Sequence, residues 1–578
     1  MNLLIFISVV TFSPLFYFIF LKVDITYSID MFAVPSGWIK RCAAAVNSRN
    51  GNDMASCLSE ALVDTEQFYT PSSSLSSSSL LDMQTCYHEM KRVLDNEVGG
   101  VQQDTEKKLY IETLTRAACS VVVYEHTRRQ LSSTTSSSIG AAEDESSTAA
   151  AGATSAQTEE SLNAARQKLL KGLLFAFEAF QEAHTKTRIP HHFGGFPGWD
   201  TAALITLVHG IQRIAQGCTT VDEDSVGNLV RNWRKLFVYL QTSDNTVDDS
   251  KSRRRGALAV VNALLIVLFQ HNNTHQCRII LRSIEQNEQI AETTKDPLKS
   301  VLQPAQHLVA EIIKFRFYQG RMKLYEKAFR GAFNSFLDAY RLAPPLGEGN
   351  DGNVFTNNEQ RMNKQRTHFY LMVSGMLCGL EPPQEILARD DLSSAIFTPL
   401  FSAIRLGSPA AFSQVIDVNS AVLRRRGVYM LLQPARMYCY LYLLQAVHTS
   451  LTELGKEPSM IPFALLVSAL DAANAKAALE SGVKASSENN LVIAAEKETS
   501  AMIADTTATT VASIGQKRMR VEVDGQLKQD DMALWLARLV ARGMVKGYLS
   551  YEHQTLVLSR KDPFPTISEV RTSNPYLA

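Results

Sequence analysis

Clustered cysteine is missing from this chain of 578 residues. Its eight cysteines (Cys42, Cys57, Cys86, Cys119, Cys218, Cys277, Cys378 and Cys439) never fall as C-x-x-C. A zinc site and a disulfide framework both need that clustering, so these read as reduced, mostly buried thiols of an intracellular protein. Charge of one sign is missing too. Lys+Arg and Asp+Glu are both 58, so any nucleic-acid site is a local patch without a global field behind it. Catalytic signatures are absent: no phosphate-binding glycine loop, nucleophile elbow, H-E-x-x-H, paired carboxylates or E…H-x-H-x-D set occurs. The reading is therefore non-enzymatic, with no metal and no cofactor. The adjacent pair His191-His192 beside Phe-Gly-Gly-Phe-Pro-Gly-Trp reads as a loop between helices, because neighbouring loop histidines rarely face one ion.

Long apolar runs are scarce, with one exception at 3–21, which is uncharged and long enough to span a bilayer. It lacks a basic leading segment and a small-residue cleavage site. Two readings stand: a retained membrane anchor, or translated upstream sequence before a start at Met31.

What the chain does have is helical periodicity. Glycine (29) and proline (19) are modest, hydrophobic content is 45%, and the length predicts two to four domains or a long helical stack. Helices are expected over 37–66, 83–94, 105–124, 161–183, 202–216, 226–241, 256–271 and 275–288. The serine tract 72–79 reads as a loop, and 131–160, rich in Ser, Thr, Ala and Glu, as a disordered linker. Over 298–344 a helical hairpin of tetratricopeptide type is expected. Gly320 takes its small-residue position and Ala332, Phe336, Ala339 and Pro344 four further ones, while Arg316 and Lys323 stand where aromatics would. One such pair cannot bury its apolar face alone, so neighbours must stack into a right-handed helical solenoid over about 161–450. A polar loop at 347–364 and short helices at 367–380, 392–397, 398–405 and 410–418 follow.

Near the C-terminus, Met532, Leu536, Leu539 and Val540 share one helical face, and Gly543 stands where a helix end accepts a left-handed residue. Val545, Tyr548 and Leu549, then Thr555 to Leu558, read as strands joined by the loop 551–554. A helix on a hairpin is the second half of a winged-helix domain, assigned to 451–570 with an unfolded insertion at about 480–516.

The run Arg-Gly-Met-Val-Lys-Gly-Tyr-Leu-Ser (542–550), His-Gln (553–554) and Leu-Val-Leu-Ser-Arg-Lys-Asp-Pro-Phe-Pro (556–565) resembles the PCI domain-containing protein 2 family. That family is similar to the messenger-RNA export factor Thp and to signalosome-associated PCI proteins. Leu-Arg-Arg-Arg-Gly-Val-Tyr-Met-Leu-Leu (423–432), ahead of the Tyr-rich helix with Tyr438, Tyr440 and Tyr442, has the same resemblance. Met460 to Ala478 is similar to the first helix of its winged-helix portion. More weakly, so do Trp38, Ile39 and the Asn-Ser-Arg-Asn-Gly at 47–51, whereas residues 1–30 have no counterpart. The resemblance implies a mostly α fold, a solenoid of paired helices capped by a winged helix. It also implies a nuclear, pore-associated scaffold subunit of an assembly like transcription-and-export complex 2. Its partners would be a GANP-type scaffold PCI protein, a small acidic Sem/DSS-type subunit, and RNA or DNA. A signalosome-associated or proteasome-lid-like subunit in protein turnover is the alternative, and a membrane-anchored helical protein using 3–21 a further one.

The candidate nucleic-acid contacts are Lys517, Arg518 and Arg520, then Arg538, Arg542 and Lys546, then Arg560 and Lys561, with Trp535 placed to stack on a base. Asp524, Asp530, Asp531 and Glu552 dilute this patch, so a merely solvated helix face is the competing reading. Arg424, Arg425 and Arg426 are the candidate partner-binding group, able to meet phosphate or to pack on a protein.

Overall fold

The computed structural model describes residues 36–63, 83–98, 105–139, 148–186, 198–218, 223–242, 251–296, 300–302, 309–343, 357–456, 458–484 and 525–565. The apolar run 3–21, the serine tract 72–79, His191 and His192 lie outside them, as does most of the insertion expected at 480–516. Among the described residues no helix is long and apolar enough to cross a membrane. The chain divides into two compact units, Met1–Phe315 and Arg316–Ala578.

The first unit is helical. α1 (Ser36–Ser48) and α2 (Gly51–Val63) are separated by the Asn-Ser-Arg-Asn-Gly break, where Arg49 takes a positive φ of 50°. The Asn50 side chain accepts from the first amides of α2, and Trp38, fully buried, donates its indole N–H to the Cys57 carbonyl at 3.0 Å. α3 (Met83–Val98), α4 (Thr105–Ile139), α5 (Thr148–Lys186), α6 (Thr201–Gly217) and α7 (Glu223–Thr242) follow. The linker expected at 131–160 is a correction: α4 runs on to Ile139 and α5 begins at Thr148. Both helices are already nucleated and packed, through Ile111 and Leu114 in one and Leu169, Leu170, Leu173 and Leu174 in the other. Extending a formed helix adds one hydrogen bond per residue with no further nucleation cost, even through the serine- and threonine-rich end of α4.

α8 (Ala257–Gln270) is the buried centre of this unit, apolar on every side from Ala257 to Leu268 and packed by α6, α7 and α9 (Thr274–Thr294). Asn262 is the polar residue in that stretch. Its amide donates to the Glu311 carbonyl (2.8 Å) and carboxylate (2.7 Å).

α10 (Val309–Tyr325) carries the boundary between units. In the second unit its Gly320 meets α11 (Phe329–Leu342) as the repeat spacing expects: Ala332, Phe336 and Ala339 are wholly buried, and Phe336 fills the space a Cβ on Gly320 would need. α12 (Asn357–Leu377) takes in residues expected to belong to the loop 347–364. α13 (Gln384–Leu387) precedes α14 (Asp391–Arg405), a single helix with Pro399 inside it where two were expected. Then come α15 (Pro409–Val418), α16 (Ser420–Arg425), α17 (Tyr429–Leu432) and α18 (Met437–Glu453).

The chain then forms β1 (Met460–Pro462), α19 (Phe463–Lys484), α20 (Gly525–Ala541), β2 (Gly547–Ser550) and β3 (Thr555–Leu558). The sheet is antiparallel in the order β1-β3-β2, with Ile461 opposite Leu556 and Tyr548 opposite Val557. α19 packs on β1 and α20 on β2, with α18 against both helices, so this is a winged helix with one strand more than the hairpin the sequence showed. Alternation in β3 sends Leu556 and Leu558 inward to Met532, Leu536 and Leu539 of α20. The same core runs without interruption back to Leu324, so repeat helices and winged helix share one interior. Among the described residues the fold is mostly α, with packed helices in both units and a winged helix at the end of the second.

Candidate nucleic-acid interface

The candidate surface is set by how α20 ends. Gly543 has φ +71°, its N–H bonds to the Val540 carbonyl (2.9 Å), and Met544 N–H bonds back to Leu539 (3.0 Å). This is a Schellman closure, and it turns the chain from the helix straight into β2. At the far end of the hairpin Gln554 takes φ +50°, doing the work of a glycine in the loop 551–554. Tyr551 OH, also in that loop, donates to Asp530 Oδ1 at 2.7 Å and ties the loop to α20.

With Met532, Leu536 and Leu539 turned to the core, the next stripe of α20 carries Trp535, Arg538 and Arg542 along the seam with α18. The rings of Trp535 and Tyr440 are parallel within 10°, with centroids 4.9 Å apart. The Arg538 guanidinium lies 4.7 Å from the Trp535 ring centre and that of Arg436 lies 5.1 Å from it. Arg542 Nη1 donates to the Met437 sulfur at 2.7 Å. Burial, with Asp531 adding to it and Arg436 opposing, pushes the Tyr440 phenol up to about 12, so it stays neutral. The result is an aromatic stack bearing two guanidinium groups, with a third, that of Arg542, on the adjacent Met437. None of the three pairs with a carboxylate among the described residues.

The Trp535 ring is engaged by Tyr440 and two guanidiniums, so it holds Arg436 and Arg538 in place. Lys546 is tempered as well, its Nζ 2.5 Å from Asp562. Arg560 and Lys561 are exposed just beyond β3, while Lys517, Arg518 and Arg520 lie outside the described residues. The Arg424–Arg426 group splits. Arg424 covers Tyr429 (4.8 Å) and Arg425 is exposed, but Arg426 turns inward over Phe369 at 4.3 Å, where burial lowers its pKa. Its carbonyl accepts from Tyr370 OH. Arg426 is thus part of the core packing, a correction to its place in a partner-binding group.

Arg436 and Tyr440 were missed from the sequence, although Arg-Met-Tyr-Cys-Tyr (436–440) opens the Tyr-rich helix that had been noted. Their pairing with Trp535 spans about a hundred residues, and no local period reports it.

An Asp–His pair with acid–base geometry does occur elsewhere. Asp200 Oδ2 lies 2.7 Å from His184 Nδ1 and accepts from Tyr110 OH at 2.7 Å. Both side chains are at most 1% exposed, which leaves no approach for a substrate. Burial would raise the Asp200 pKa, yet His184 and Tyr110 hold it below the usual carboxylate range. Its role is to join α4, α5 and the start of α6. Among the described residues no three His, Cys, Asp or Glu side chains stand together to hold a metal ion.

No family model matches the chain. It is 21% identical over 328 residues to PCI domain-containing protein 2 of Danio rerio, covering 57% of this chain and 61% of that protein. To the Drosophila melanogaster homolog it is 21% identical over 330 residues (56% and 62%). To enhanced ethylene response protein 5 of Arabidopsis thaliana it is 20% identical over 417 residues (72% and 80%). The chain thus spans about three fifths of the length of the animal relatives. These relatives support a PCI domain-containing protein 2 family for this chain.

Proposed function

We propose that this PCI scaffold protein is a non-enzymatic subunit of an assembly like transcription-and-export complex 2, acting in nuclear messenger-RNA export. In this reading it joins a second PCI protein of the GANP type and a small acidic subunit, and presents a basic surface to RNA or DNA. The observation that carries it is the trio Arg436, Arg538 and Arg542 beside the winged helix, the first two over Trp535, which stacks on Tyr440, and the third on Met437. Guanidiniums without carboxylate partners keep their charge for phosphate, and the aromatic stack fixes two of them so that less side-chain freedom is lost on binding. The chemistry is binding and positioning, with no bond made or broken.

Filter binding of single-stranded RNA to the purified protein tests this. R538E/R542E removes two phosphate contacts, so the slope of log affinity against log salt should flatten by about 1.4. K546E should do less, since Asp562 already offsets that lysine. Equal slopes for wild type and R538E/R542E would remove the nucleic-acid part of the proposal and leave the scaffold part standing.

A further inference from the structure

In the first unit, an open groove of about 950 Å³ runs along α7 beside the end of α8 and the start of α9. Its apolar surface comes from Val226, Val230, Val238 and Leu268, and Val238 is 56% exposed. Arg231, Arg234 and Lys235 line the same groove, and no carboxylate is among its lining residues. Arg234 Nη1 donates to Gln276 Oε1 at 3.1 Å, so the wall on α7 is already tied to the wall on α9. From Val226 to Val238 the groove follows twelve residues of helix, or about 18 Å, the length of some three turns.

We propose that this groove binds an acidic amphipathic helix of a partner polypeptide. Aliphatic side chains at i, i+3/i+4 and i+7 would lie on the valine row, and carboxylates flanking them would meet Arg231, Arg234 and Lys235. Charge complementarity selects an acidic ligand, and the aliphatic floor selects a polypeptide over a nucleic acid. Phe, Tyr and Trp are absent from the lining, where the small ring of His271 is the one aromatic group, and phosphates on the three cations would leave the valines facing water. The surface is separate from the winged-helix arginines, and the proposal does not rest on the function given above.

Fluorescence anisotropy with the full chain tests it. The probe is a labelled 18-residue peptide with leucine on one helical face and glutamate on the other. A scrambled peptide of equal composition and a 15-nucleotide uridine RNA are the comparisons. The ordered peptide should bind at least tenfold tighter than the scrambled one. R231E/R234E/K235E and, separately, V238S should each weaken it about tenfold or more, with RNA affinity unchanged by V238S. All four positions are exposed, and thermal melts of each variant check that the fold is kept. If the triple variant does not fold, V238S and the single K235E carry the test. Equal binding of ordered and scrambled peptides would overturn the proposal, as would unchanged binding by V238S. So would tight RNA binding that the charge reversals abolish, which would make the groove a nucleic-acid site.

Discussion

Gly320→Ala asks whether the α10–α11 pair is held by close helix approach. A Cβ at Gly320 would stand 2.8–2.9 Å from three ring atoms of Phe336. That ring cannot step aside, because Tyr370 stacks on it at 5.6 Å and Phe317 meets it edge-on at 5.9 Å. Overpacking of this kind costs about 1–3 kcal/mol, against a gain of about 1 kcal/mol from replacing glycine in a helix. A net loss of about 1 kcal/mol is expected. Gly227→Ala in α7 is the control, since a Cβ there meets nothing within 4 Å and should yield the propensity gain alone. The two substitutions should therefore differ by about 2 kcal/mol, or roughly 30-fold in local opening. Hydrogen exchange resolved by segment reads both in the intact chain, which need not unfold in one step. Amides of α10 and α11 should exchange faster in Gly320→Ala, and F336L should restore them. Gly320→Ala protecting as well as Gly227→Ala does would refute close packing at this position.

Two further outcomes follow from buried and half-buried groups. Burial would raise the Glu311 pKa, but the His209 ring 3.3 Å away, the charge and hydrogen bond of Lys314 and the hydrogen bond from Asn262 bring it down to about 2. A depressed carboxylate stabilises the fold above its unfolded pKa near 4.5, and that stability is lost as pH falls toward 2, at most about 3 kcal/mol. Glu311→Gln should flatten the acid dependence of stability between about pH 5 and pH 2, seen as matching denaturant midpoints across that window. An unaltered acid profile would count against the ion cluster. Trp535→Ala should destabilise the winged helix by about 2–4 kcal/mol and Trp535→Phe by less, because the ring packs between Tyr440 and the arginines. Loss of RNA affinity with stability intact would instead make Trp535 a base platform.

Much of the second unit was legible because its signals are local. The Gly320 spacing, the stripe at Met532, Leu536 and Leu539, the Gly543 end and the alternation at 555–558 each need only a dozen residues of context. β1 was not legible, since three residues running into a helix have no period of their own and are a strand only because β3 pairs with them. Residues 131–139 and 148–160 misled because low hydrophobicity was read as disorder, whereas their helices are continued from the packed segments of α4 and α5. For the site, which residues are basic was plain from sequence. Which of them stay available was set by distant partners: Asp562 for Lys546 and Phe369 for Arg426.

Affinity purification of the native protein, followed by identification of its stoichiometric partners and bound RNA, tests the central claim most directly. The account predicts a second PCI protein, a small acidic subunit, and RNA whose recovery falls in R538E/R542E while both proteins remain. Recovery of signalosome or proteasome-lid subunits in their place, with no RNA in wild type or variant, would contradict it.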